Sequence, residues 1–306
     1  MILCVCPNPS VDTLVNVPQF SLGQVNRVTT EQHYPGGKGI HVAMAARELG
    51  ADKVHVLGFW AGPTGIWLRE RLAHRNIAAS GPAVDGWTRL CLTFRAPEPY
   101  NETELLGVGP VIEHKDEDEL KTVFNRLISS ASIVTMSGSW PVGAGESGYG
   151  DLIRSCAGRG IPTVLDCTGI QLEHALPERP YAVHLNASEA EAVFHTQDPA
   201  KAAGCLAKQC ELSIVTDGPR GAYFVANGQL IHANCRIESQ QYSSVGSGDC
   251  LVAGIALAIS RELPLMETAA LACACGAANC LRPELGMLYR ADVDRLLPTV
   301  KIRSLP

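Results

Sequence analysis

From about residue 112 onward the chain alternates between helical and strand patterns, and that alternation restricts the fold more than any other feature. Leu120, Val123, Phe124, Leu127 and Ile128 share one helical face, and the run Ser132-Ile133-Val134-Thr135-Met136 that follows reads as a buried strand. Residues 152–160 read as helix, 162–166 and 181–185 as strands, 188–195 and 200–210 as helices, and 212–216 as strand. Repeats of this kind build a mostly parallel sheet with right-handed crossovers and helices on both faces. Ligands in that architecture gather beyond the carboxyl ends of the strands. Asn227-Gly228, between the apolar runs 222–225 and 230–232, marks a β-hairpin.

Two regions break the alternation. Residues 12–33 and 84–110 have the texture of short strands and turns, as in Trp87-Thr88-Arg89-Leu90-Cys91-Leu92-Thr93-Phe94. Between them lies an α/β stretch with a helix at 40–49, which Gly50 closes as its C′ residue. Strands inserted twice into an α/β body can form one small sheet over a site. The expected division is a body of residues 1–11, 34–83 and 111–306, and a β-lid of residues 12–33 and 84–110.

A chain of 306 residues with 46% hydrophobic and 18% charged residues is long and apolar enough for a sizeable core. Its net charge of −6, with no run of Lys and Arg, argues against a nucleic-acid partner. No apolar stretch reaches the length of a membrane span. The start, Met1-Ile2-Leu3-Cys4-Val5-Cys6-Pro7, lacks the basic and apolar regions of a secretory signal. A cytoplasmic location with reduced thiols is therefore expected for the twelve cysteines. Cys4/Cys6 and Cys273/Cys275 have no accompanying His or Cys at zinc spacing and read as buried thiols.

The chemistry concentrates in Ser244-Val245-Gly246-Ser247-Gly248-Asp249-Cys250-Leu251, after which an apolar run to Ile259 reads as helix. A glycine turn at a helix N-terminus presents unpaired N–H groups and the favourable end of the dipole, which suits an oxyanion or phosphate. Asp249 is out of place there, since a carboxylate repels a phosphate. It makes sense as a base that takes the proton of a substrate hydroxyl while the amides hold the phosphoryl group under attack. The alternative is a capped core helix with an Asp in its first turn.

Other segments carry similar double readings. Asp12, in Asn8-Pro9-Ser10-Val11-Asp12, can accept hydrogen bonds from sugar hydroxyls or be an ordinary turn aspartate. Pro35-Gly36-Gly37-Lys38-Gly39-Ile40 opens the next helix without the spacing of a P-loop or a dinucleotide fingerprint; its glycines admit a ligand or simply make the turn. Arg89 can grip a phosphate bidentately or lie solvated on a strand. Ser137-Gly138-Ser139 ends a buried strand, where ligand contacts are expected. Asn186 and Glu189 can order water around Mg²⁺ or cap a helix. Thr216-Asp217-Gly218-Pro219-Arg220-Gly221 is a tight turn beside a nucleotide or a hairpin entry.

Taken in order, these segments resemble the PfkB (ribokinase-like) carbohydrate kinases, from Asn8 to about Gly286. Gly23-Gln24-Val25-Asn26-Arg27, Gly36-Gly37-Lys38-Gly39, Thr88-Arg89, Thr103-Glu104 with Gly109-Pro110, and Ser137-Gly138-Ser139-Trp140-Pro141-Val142-Gly143 look most like the branch of 1-phosphofructokinases and tagatose-6-phosphate kinases. The resemblance implies a three-layer α/β/α sandwich with a small β-sheet lid that pairs two subunits as a homodimer. It also implies ATP- and Mg²⁺-dependent phosphorylation of a sugar or sugar-phosphate hydroxyl. Carried over, Asp249 is the base, and Gly246, Ser247 and Gly248 form the anion hole. Asp12, Gly37, Lys38, Gly39 and His41 face the sugar, with Arg89 and Ser139 near its phosphate. Glu189 supports the metal and Asn186 the phosphates, while Thr216, Gly218, Gly221 and Asn279 border ATP.

Departures from the pattern concern the acceptor and, at His184, contact with the ATP phosphates. His41 stands where the branch has Asn, Cys91 and Thr93 where it favours Asn and Lys, His184-Leu185-Asn186 for Lys-Pro-Asn, and Ser247 for Ala. Three functions follow: a kinase for a phosphorylated ketohexose, a kinase for an unphosphorylated sugar or nucleoside, or a ligand-binding protein that has lost turnover. Restoring Asn at position 41 is expected to change acceptor preference.

Overall fold

The first strand, Ile2–Val5, shows how the molecule is layered. Its side chains alternate across the sheet, so Ile2 and Cys4 join one buried apolar cluster while Leu3 and Val5 join another on the opposite face. The computed structural model describes residues 1–238 and 240–306. Its main sheet has ten strands in the order 301–305, 229–234, 222–226, 212–216, 182–186, 163–166, 133–137, 2–5, 54–57 and 78–80. The strands from Leu212–Thr216 to Ala78–Ser80 pair in parallel, as the strand–helix alternation requires, and the remaining three add antiparallel at one edge. Ala222–Ala226 and Gln229–Asn234 form the hairpin around Asn227, whose φ is 50°, and Gly228, whose φ is 74°.

Helices cover both faces. On one side Lys38–Glu48, Ser247–Ser260 and Leu265–Cys280 bury alanines, valines and cysteines against the sheet. On the other, His114–Leu127, Gly148–Ala157 and Pro199–Leu206 do the same. The result is an α/β/α sandwich. Gly50 follows the end of the Lys38–Glu48 helix with a φ of 88°, the left-handed conformation of a C′ glycine.

A separate four-stranded sheet is built from Ser10–Asn16, Thr30–Gly36, Arg89–Arg95 and Thr103–Leu106. Ser10–Asn16 is its hinge with the body. It runs antiparallel to Thr30–Gly36 and parallel to Arg89–Arg95, which places Ser10 opposite Arg89 and Asp12 opposite Cys91.

Chain order reverses between strands Ile2–Val5 and Ile133–Ser137, which are neighbours in the sheet although the chain first runs outward to Val54–Leu57. A crevice opens at such a reversal, beyond the carboxyl ends of the strands. The segments that sequence marked for chemistry leave the sheet there.

Candidate active site

Two helices aim their first turns at this crevice. Ser247–Ser260 starts from Gly246, whose φ of 82° suits glycine, and no side chain caps it. The Ser247 amide is taken up by the Ser244 carbonyl at 3.0 Å, and no side chain occupies the remaining first-turn amides, which can face an anion. The second helix, Lys38–Glu48, starts from Gly37 with a φ of 92°, also without a side-chain cap. The close approach that glycine allows at Gly37 and Gly39 is to the chain itself. A Cβ on Gly37 would lie 3.0 Å from Cys6 Sγ, and one on Gly39 would lie 2.6 Å from Cys6 Cβ and 2.8 Å from the Val5 carbonyl oxygen.

Between the two helices His41 joins two carboxylates. Its Nδ1 lies 2.8 Å from Asp249 Oδ2, and its Nε2 lies 3.1 Å from Asp12 Oδ2. Ser10 Oγ donates to the other oxygen of Asp12 at 2.6 Å. All three side chains are buried. Burial pushes Asp12 up, but His41, Ser10 and Arg89 together hold it below the usual carboxylate range. Asp249 is also pushed up by burial, and here His41 and Lys38 only partly oppose it, so the net direction is upward. Two carboxylates that share one imidazole are thereby separated in basicity, with Asp249 the better proton acceptor.

A second cluster centres on Asp166, the last residue of strand Thr163–Asp166. Lys38 Nζ donates to Asp166 Oδ1 at 3.1 Å and lies 3.9 Å from Glu189 Oε1. His184 Nδ1 meets the same Asp166 oxygen at 3.2 Å, and its Nε2 meets Thr216 Oγ1 at 3.1 Å. The Asp166 carboxylate raises Lys38 above the usual lysine range against the effect of burial. Burial in turn pushes Asp166 up, yet Lys38 and His184 hold it well below the usual range. His184 also lies under the glycine turn, since a Cβ on Gly248 would sit 3.3 Å from its Cε1. The residue expected to weaken contact with the ATP phosphates thus lies next to the anion turn.

The remaining candidates are less tightly linked. Arg89 is half-buried and donates to the carbonyls of Asn8 (3.2 Å) and Gly107 (3.4 Å), which fixes its guanidinium near Asp12. Asn186 and Glu189 form a reciprocal capping box, the helix-cap reading, with both bonds at 2.9 Å. Gly218 and Gly221 flank a short 3₁₀ turn held by the Arg220–Asp217 ion pair. Asn279 is buried and donates to the Met287 carbonyl at 2.9 Å. Ser139 is exposed, just past the end of Ile133–Ser137. Among the described residues Ser139, Gly218, Gly221 and Asn279 make no side-chain bond to either cluster.

Asp166 was missed at the level of sequence. A signal existed, because an acidic residue closing a buried strand of a parallel sheet lies where ligands bind. Ser10 left none, being one hydroxyl in a polar turn. Cys4, Cys6, Cys273 and Cys275 are buried, as the reading of buried thiols expects.

A doubly wound sheet whose crevice holds an uncapped glycine turn, a buried carboxylate and a paired lysine defines a phosphoryl-transfer type of site. The chain belongs to the pfkB family of carbohydrate kinases, whose family model matches residues 8–288. It is 33% identical over its whole length to a 1-phosphofructokinase of Bacillus subtilis, which it also covers completely. A tagatose-6-phosphate kinase of Staphylococcus epidermidis is 30% identical over 99% of both chains. Among solved structures, the phosphofructokinase-2 of Escherichia coli in complex with fructose-6-phosphate superposes with a TM-score of 0.87 at 25% identity, over 97% of this chain and 98% of that one. The same enzyme is known in a tetrameric inhibited form. No described helix is long and apolar enough to cross a membrane.

Proposed function

We propose that the protein phosphorylates a hydroxyl of a phosphorylated ketohexose with ATP and Mg²⁺. The observation that carries this reading is the first turn of Ser247–Ser260, which no side chain caps and which lies beside a buried carboxylate raised in basicity. Asp249 accepts the acceptor's proton as its hydroxyl attacks. The amides of Gly246 and Gly248 take up the negative charge of the phosphoryl group in flight, while that of Ser247 holds the turn through the Ser244 carbonyl. Asp12, kept anionic, accepts hydrogen bonds from neighbouring sugar hydroxyls. Lys38 carries its charge between Asp166, Glu189 and Asp249 and offsets that of the moving group.

Oxygen donors suit Mg²⁺, and one or two carboxylates with water are its usual protein share. Glu189 meets that description, and the buried Oδ2 of Asp166 has no hydrogen-bond partner. When bound, the ion would offset the negative charge of the nucleotide phosphates. The strand end at Thr216 and the turn Gly218–Gly221 are assigned to the nucleotide, with Asn279 behind them.

Arg89 is assigned to the acceptor's own phosphate, and the ketohexose-phosphate kinases among the relatives support that choice. One observation favours an unphosphorylated acceptor instead: Cys91 and Thr93, the next site-facing positions of that strand, are buried and bring no further cation. The four-stranded sheet is assigned as the lid, and Leu90 and Leu105, exposed on the face turned away from Cys91, as the contact that pairs two subunits.

The test is ADP release with Mg-ATP across fructose 1-phosphate, fructose 6-phosphate, tagatose 6-phosphate, free hexoses and nucleosides. Turnover on one phosphosugar is expected, with Arg89→Ala raising KM for that acceptor far more than for ATP. Turnover confined to unphosphorylated acceptors would reject the reading.

A further inference from the structure

His41 is walled by backbone. A Cβ on Gly286 would strike its ring, and one on Gly246 would lie 3.5 Å from its Nδ1. The residue is only 4% exposed, so the ring's orientation is set by packing rather than by solvent. Held this way, the ring hydrogen-bonds Asp249 Oδ2 through Nδ1 at 2.8 Å, while Nε2 lies 3.1 Å from Asp12 Oδ2, within ion-pair reach but out of line for a hydrogen bond. A neutral imidazole has one N–H and one lone pair, and that lone pair would face a carboxylate and repel it. Only the imidazolium offers N–H to both sides.

We propose that His41, as an imidazolium bridging Asp12 and Asp249, is a positioning residue for the base: it fixes the Asp249 carboxylate with Oδ1 turned to the acceptor and keeps it ionised in a buried site. This rests on the kinase reading of the site. The bridge also joins the carboxylate assigned to the sugar with the carboxylate assigned to the proton, so acceptor binding and base alignment become one arrangement.

Charges from every neighbouring element bear on the bridge. Asp12 and Arg89 come from the four-stranded sheet, Glu104 from its edge strand, Lys38 from the same helix, and Asp166 from the main sheet, with the Cys6 thiol below. Burial lowers the His41 pKa, but the two carboxylates outweigh it and raise it to about 10. The ring therefore remains charged across the working range of pH, and the group left to titrate is Asp249.

Two measurements test this on the full-length protein. Nitrogen-15 NMR of labelled histidines should show His41 as imidazolium at pH 8, and Asp249→Asn should move its titration down towards the ordinary range near 6.5. In turnover, His41→Asn and His41→Gln should move the acidic limb of kcat/KM upward by about one pH unit. The loss would then grow as pH falls through the limb, approaching about tenfold below it and vanishing on the alkaline plateau, with KM for ATP unchanged. Loss by the same factor at every pH, or a His41 that titrates near its ordinary value in an active enzyme, would overturn the proposal. A bridged imidazolium in a protein silent on every acceptor would support the bridge and overturn the kinase reading instead.

Discussion

At the scale of single residues, the pair Asp12 and Asp249 differ by what surrounds them rather than by their chemistry. Ser10, Arg89 and His41 crowd Asp12 with donors, while Asp249 sits deeper with fewer. Asp249→Asn should fold, keep its affinity for ATP and lose several orders of magnitude in kcat, because an amide accepts no proton; a mutant within tenfold of wild type would remove Asp249 as the base. A second expectation concerns stability. His41 has a folded pKa raised from 6.5 to about 10, so its favourable contribution is complete below pH 6.5 and disappears as pH rises through 10. Tm followed from pH 6.5 to 10.5 should fall in the wild type, and the slope should flatten in His41→Gln. The same histidine shows where sequence reading stops. Its type and unusual place were visible, but nothing local to Gly39-Ile40-His41 announces a partner 208 residues away.

At the scale of elements, much was legible. The alternation after residue 112 came from apolar spacing, and the observed helices and strands fall on it with ends displaced by a few residues, as with Pro199–Leu206 for an expected 200–210. The capping box at Asn186 and Glu189 was readable because cap chemistry is local. Less legible was why the Lys38–Glu48 helix opens on glycines. Their role is set by Cys6 and Val5, which only the folded chain brings near. Gly39→Ala should accordingly cost about 1–3 kcal/mol in urea unfolding, since its Cβ meets backbone that cannot yield. Gly204 lies on the exposed face of Pro199–Leu206, and a methyl added there would meet nothing within 4 Å, so Gly204→Ala should stabilise by about 0.5–1 kcal/mol. If both substitutions moved stability the same way, the packing account of Gly39 would fail.

At the scale of the whole molecule, two sheets meet over one crevice, and the smaller of them exposes Leu90 and Leu105 on the face turned away from Cys91. An apolar patch of this kind on a sheet that is thin and solvent-facing is characteristic of an association surface. Light scattering after size exclusion should give a dimer, and Leu90→Glu with Leu105→Glu should give a monomer with raised KM for the acceptor. A wild-type monomer at micromolar concentration would exclude lid pairing.

The bridge across the crevice has a consequence for how the protein comes into being. During synthesis Asp12 and His41 leave the ribosome early, while Asp249 follows 208 residues after His41. Until then the imidazole has one carboxylate to face, the glycine turn does not exist, and nothing can accept a hydroxyl proton. The nascent chain is therefore chemically idle while most of its sheet is already made. The arrangement proposed for catalysis is complete only once the Ser247–Ser260 helix has docked against Lys38–Glu48 and closed the pair.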